Sequence, residues 1–281
     1  MRHQGDRPRI PDFRKKVLSF GEIHGIEDLT PAKLGIIGKW LAEGRKVTLA
    51  LERAYDQQSL VLDWLAEGKP GRQFKALFSA PATSHYLSDQ FSFLQGLADI
   101  PSAKRKKLKV LCADMSFAPR GTDKRARLSR EILNCADEDE FDRRRELFLI
   151  SQFEQNRGLL EKSDRVLFAA GNMHASKTRY YFPLGEKQYR HIPTVTGWLN
   201  ARYGCESVFT LPFSGHTRYQ GPVGLKKNPV ALGSPPLKKI AASPFNGFAA
   251  TKHSGVRTAS FLASYDWLFG IKKCTPSAAI W

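Results

Sequence analysis

Val17-Leu-Ser-Phe-Gly-Glu-Ile-His-Gly25 and Val166-Leu-Phe-Ala-Ala-Gly-Asn-Met-His174 are built alike: a short apolar run that stops at Gly-x-x-His. Runs of this length bounded by glycine read as buried strands. Three more apolar runs of similar length are Val47-Thr-Leu-Ala-Leu51, Leu108-Lys-Val-Leu-Cys-Ala113 and Val208-Phe-Thr-Leu211. Helical signals lie between them. Thr30 suits an N-cap, Pro31 the first helical position and Gly44 a stop, with Leu34, Ile37, Trp40 and Leu41 as the apolar stripe. A second helix is predicted near 57–67, ending at Gly68, and a long one over 137–162. Strands alternating with helices predict an α/β fold, a mostly parallel central sheet flanked by helices.

The polar residues that follow the apolar runs set the functional expectation. Residues 17–20 lead into Glu22 and His24, 47–51 into Glu52 and Arg53, 108–113 into Asp114, and 166–170 into His174. In a parallel sheet the carboxyl ends share one edge, where ligands bind. Glu22, His24, Glu52, Asp114 and His174 are therefore expected in one cleft, an active site at the C-terminal strand ends. Arg145 joins them by a different route. At 100° per residue it points between Phe141, Phe148 and Leu149 on the long helix, and a buried arginine needs an acidic or other acceptor. The catalytic candidates are thus His24, Glu22, Glu52, His174 and Arg145, with Arg53, Asp114, His85 and His216 on the rim.

Two chemistries suit two histidines and paired carboxylates. One is a divalent metal (manganese, cobalt or zinc) held by His24, His174, Glu22 and Glu52, with positions left for water. The other is metal-free, a histidine activating water while arginine stabilises the oxyanion. Both lead to hydrolysis of a small-molecule or peptide substrate. There is no G-x-S-x-G, G-x-x-x-x-G-K-[ST], G-x-G-x-x-G or H-E-x-x-H, so the serine α/β-hydrolase, nucleotide, dinucleotide and helix-borne zinc readings lose support.

The chain has 281 residues with 42% hydrophobic and 25% charged, ordinary globular usage that excludes wholesale disorder. No stretch reaches a membrane span and the N-terminus lacks an apolar signal core, so a soluble, cytoplasmic protein is expected. Its four cysteines include no CxxC pair. Net charge is +17, concentrated in residues 102–130, with Lys104-Arg-Lys-Lys107, and in 221–281, where eight Lys or Arg face one Asp. This fits contact with a polyanion, nucleic acid or an acidic partner, and equally a solvated loop and basic tail. From about residue 220 glycine and proline multiply and periodicity fades. The expected organisation is an α/β catalytic-like domain over 1–220 and a basic, loop-rich C-terminal extension over 221–281 packed on it, closed by a short helix over 261–269.

Phe20-Gly-Glu-Ile-His-Gly25, Leu51-Glu-Arg53 and Ala170-Gly-Asn-Met-His-Ala175 together resemble the erythromycin esterase-like, ChaN-like and Tiki superfamily. Arg145-Glu146 is similar to an Arg-acid pair that precedes the last motif in esterase-like members. The resemblance implies an α/β fold. Its esterase-like branch implies His24 as general base, Glu22 and Glu52 orienting it or the water, and His174 as a second active-site histidine. Its Tiki-like branch implies a metallopeptidase, and its ChaN-like branch implies haem binding, which the missing signal peptide and lipidation cysteine disfavour. The macrolide-binding parts of the esterases have no match here.

Overall fold

The computed structural model describes residues 8–68, 88–181, 190–212, 216–217, 221–222, 247–250 and 265–271. Strands β1 (Val17–Glu22), β2 (Val47–Ala54), β3 (Leu108–Asp114) and β4 (Arg165–Gly171) alternate with helices α1 (Thr30–Ala42), α2 (Gln58–Glu67), α3 (Ser88–Ala98), α4 (Ser102–Arg105), α5 (Lys124–Leu133), α6 (Glu138–Gln155) and α7 (Arg157–Glu161). After β4 come α8 (Asn172–Ala175), β5 (Arg179–Tyr181), β6 (Arg190–Ile192), α9 (Val195–Tyr203), β7 (Cys205–Pro212), β8 (His216–Thr217), β9 (Gly221–Pro222), β10 (Gly247–Ala250) and β11 (Trp267–Ile271).

Seven strands form one sheet in the order β10-β11-β7-β1-β4-β2-β3, and every pairing within it is parallel except β10 with β11. This is the expected α/β architecture, with all five predicted strands in place. Because β4 inserts between β1 and β2, the last Gly-x-x-His motif lands between the first and Glu52. The register aligns Glu22 with Gly171 across β1 and β4. A register shift between Leu51 and Ala54 of β2 marks a bulge at the end of the strand that carries Glu52.

Each face of the sheet is covered by its own apolar layer. One gathers Phe13, Phe20, Ile37, Trp40, Trp64 and Phe269 under α1, α2 and α3. The other packs Phe153, Val195 and Leu199 against Val166 and Phe168. Phe153 meets Phe168 edge to face, ring centroids 5.2 Å apart. Burying a side chain of this size contributes about 1.5–3 kcal/mol, so the two layers hold the strand edge that carries the site.

The local readings were off in three places. The long helix is two, α6 and α7, separated at Asn156. Leu29, not Thr30, is the N-cap of α1, because the single 3-10 turn Glu27–Leu29 leads straight into it. The closing helix expected over 261–269 is not formed in its described part: Trp267–Ile271 is a strand, paired parallel to β7. Its aromatic and branched residues are good strand formers, and β7 offered an open edge. With β10 beside it, the chain beyond residue 220 supplies two strands of the central sheet.

Candidate active site

Glu22, Gly171 and Asp114 end β1, β4 and β3, and Glu52 lies two residues before the end of β2 between β4 and β3, so their polar groups crowd along one edge. At the centre is Glu52. Its Oε2 lies 3.5 Å from His24 Nε2 and its Oε1 lies 3.3 Å from His174 Nε2. Arg145 Nη2 donates to the same Oε1 at 2.5 Å, and the Gly171 N–H donates to Oε2. One carboxylate thus ties both histidines, the arginine and the backbone of the second motif together.

Further acids hold each cation from behind. Asp114, fully buried, accepts from Arg145 Nε at 3.1 Å and from its Nη2. Glu146, also fully buried, lies 2.8 Å from His174 Nδ1 and accepts from the Val195 N–H at 2.8 Å, which joins the histidine to the start of α9. Glu22 Oε1 lies 3.4 Å from His24 Nδ1, and its Oε2 accepts from Lys33 Nζ at 2.5 Å. Lys33 is itself 4.5 Å from the centre of the Phe93 ring. Four acids face two histidines, one lysine and one arginine, and with both histidines protonated the charges cancel.

The two glycines of the paired motifs are there for closeness. A Cβ on Gly171 would stand 3.1 Å from His24 Nε2 and 3.3 Å from Glu52 Oε2. A Cβ on Gly21 would stand 2.5 Å from Asn172 Oδ1 and 2.7 Å from the Val208 carbonyl. A side chain at Gly21 must displace the Asn172 amide and the Val208 carbonyl, and one at Gly171 would crowd the His24 and Glu52 side chains.

Electrostatics follow from this packing. Burial alone would lower both imidazoles. For His24 the charge of Glu52 and the bonds to Glu22 and Glu52 outweigh it, and for His174 the charges of Glu52 and Glu146 do so; both are raised to about 10. Burial opposes ionisation of Glu22 too, but Lys33 and His24 hold it down at about 2. Against the same penalty, His174, Arg145 and His24 keep Glu52 well below the usual carboxylate range.

Of the residues singled out from sequence, Glu22, His24, Glu52, Arg145 and His174 come together as expected. Asp114, expected on the rim, is fully buried behind Arg145. Arg53 is buried and donates through Nε to Gln57 at 2.8 Å. His85 lies outside the described residues, as does the side chain of His216. Two members of the cluster were missed. Lys33 had a readable signal, because it shares the buried stripe of α1 with Ile36, Ile37 and Trp40 while Leu34, taken for that stripe, is only half-buried. Glu146 had been quoted only beside Arg145, with no role.

The metal-bound option does not fit these residues. Among the described residues no three His, Cys, Asp or Glu side chains converge as ligands. Every oxygen of Glu22 and Glu52 already faces Lys33, Arg145, an imidazole or the Gly171 N–H. Haem ligation fits no better, since Nε2 of both histidines turns toward Glu52.

No protein-family model and no curated protein sequence matches the chain. Solved structures do. A succinoglycan biosynthesis protein superposes with a TM-score of 0.68 at 12% identity, over 94% of this chain and 89% of that one. A Bacillus cereus protein gives 0.65 at 13%, over 95% and 90%. The erythromycin esterase EreC, as a histidine-to-asparagine mutant in its open conformation, gives 0.64 at 10%, over 95% and 92%. The fold is erythromycin esterase-like. Within that fold the ion-pair cluster occupies the carboxyl edge of the sheet, where α/β proteins place their ligands. Among the described residues, no helix of this esterase-like fold is long and apolar enough to cross a membrane.

Proposed function

We propose that the protein is a hydrolase that cleaves an ester or amide with water activated by His24, without a metal. The observation that carries this reading is the Glu52 carboxylate, which brackets His24 together with Glu22 while His24 keeps 24% of its side chain exposed. His174, at 7%, and Arg145, at 15%, are more enclosed. His24 is therefore the proton-carrying group nearest to a substrate.

The resting imidazole carries a proton, since Glu52 and Glu22 stabilise its charged form. Loss of that proton yields a strong base between two carboxylates. It takes a proton from water as the oxygen attacks the carbonyl carbon. The imidazolium so formed then gives its proton to the leaving oxygen or nitrogen as the C–O or C–N bond breaks. Glu22 and Glu52 keep the ring oriented through both transfers, and Arg145 holds Glu52 in place. The EreC structure supplies a precedent for the fold, and the macrolide substrate does not follow from it.

A panel of chromogenic esters and amides, assayed from pH 6 to 10.5, tests the proposal. The expected result is turnover whose kcat/KM climbs through the neutral range and levels near the His24 pKa of about 10. A profile that falls over that range, or turnover that persists in His24→Ala, would overturn it.

A further inference from the structure

A groove lies beside the first residues of β3, at the opposite end of the strand from Asp114. Among the described residues β3 is the terminal strand and pairs with β2 alone. Part of its outer edge is covered by a side chain that imitates a neighbouring strand. The Gln58 amide donates through Nε2 to the Val110 carbonyl at 2.9 Å and accepts the Cys112 N–H through Oε1 at 2.7 Å. Strand alternation then turns the Val110 N–H and the Leu108 carbonyl toward the same outer side.

The first residues of β3 border a cavity of about 470 Å³. Leu62 and Leu65 of α2 wall it from one face of the sheet and Leu159 of α7 from the other, so it straddles the sheet plane and prolongs it. Leu62 is 45% exposed. The rest of the charged wall is basic among the described residues, with Arg105, Lys106 and Lys109 and no acid. Among the described residues, no acid forms an ion pair with Lys104, Lys106 or Lys109.

We propose that this groove binds an extended, acidic and aliphatic segment of a partner protein, which adds to β3 as a further strand. The open edge supplies backbone hydrogen bonds, Leu62 and Leu65 take the aliphatic side chains that point to one face, and Lys106 and Lys109 neutralise the acids that alternate with them. A second copy of the chain, with a net charge of +17, would be repelled. Nucleic acid is disfavoured because, among the described residues, no aromatic ring lines the cavity to stack on a base.

Fluorescence anisotropy with a labelled peptide alternating glutamate and valine tests this on the full chain, beside a lysine–valine peptide and a labelled single-stranded oligonucleotide. The glutamate peptide should bind, the lysine peptide should not, and Lys106→Glu with Lys109→Glu should weaken binding by about tenfold or more. Leu62→Ser should weaken it at constant charge, and bound peptide should slow hydrogen exchange at the Val110 amide. Absence of glutamate-peptide binding overturns the proposal. So does binding that is indifferent to Leu62 and leaves the Val110 amide unprotected, or an oligonucleotide that competes through the same lysines and binds more tightly. All three residues lie outside the catalytic cluster, so ester and amide turnover, where present, should be unchanged in these variants.

Discussion

His24 and His174 close the same Gly-x-x-His motif on neighbouring strands and share one carboxylate, yet their surroundings differ. His24 has both nitrogens at 3.4–3.5 Å from acids and keeps 24% of its side chain open. His174 has Nδ1 at 2.8 Å from the fully buried Glu146 and is 7% open. The half-buried His24 is the more accessible of the two to a bound molecule, while His174 is clamped between two acids under α6 and α9. The motif alone does not separate these surroundings; burial and the partner on Nδ1 do.

The largest expected effect is on the buried side of this pair. Glu146→Ala leaves the His174 imidazolium and the Val195 N–H without their acceptor, a loss of about 3–5 kcal/mol of stability, read by urea denaturation. Glu146→Gln should recover part of it by keeping an acceptor for Val195. A Glu146→Ala protein as stable as the parent would place His174 and His24 on an equal footing and break the contrast.

His24→Ala should reverse the pattern, with the fold retained and turnover reduced by a factor of about 10² or more. Circular dichroism and initial rates on one preparation check both halves. Equal loss of stability in the two variants would show that the exposed histidine is structural too.

Stability against pH sharpens the comparison. Both histidines are raised from 6.5 to about 10, so their stabilisation is full below 6.5 and is lost as pH rises through 10. Glu22 is depressed from 4.5 to about 2, so its contribution is present above 4.5 and is lost as pH falls toward 2. Urea midpoints should therefore be highest near pH 4.5–6.5 and decline toward pH 10, and His24→Ala should remove part of the alkaline decline. A flat alkaline limb would show that the histidines are not held as cations.

The smallest expected effect is a null one. Dialysis against a chelator should leave turnover and thermal midpoint unchanged, because Lys33 and Arg145 already neutralise the acids a metal would use. Activity lost to the chelator and restored by manganese or zinc would replace the proton-transfer account with a metal-based one.

Much of this site was legible in the chain. Apolar runs that end in glycine, acid or histidine placed Glu22, His24, Glu52 and His174 at strand ends, and helical geometry turned Arg145 inward. Lys33 was legible by the same geometry but went unread, since Leu34 was taken for the stripe it occupies. Glu146 was harder. Its place on α6 is no more apolar than that of Arg145, and only the approach of His174 from β4 gives its carboxylate a purpose.

Local sequence was enough to decide β1 to β4, β7 and the helices α1 and α2, because strand period and helix pitch are properties of a few neighbouring residues. The order of strands, the entry of residues 267–271 into the sheet and the different burial of the two histidines came from tertiary structure. These depend on which distant edges pair and on how deeply each charge is withdrawn from water, and neither is a property of any single stretch of chain.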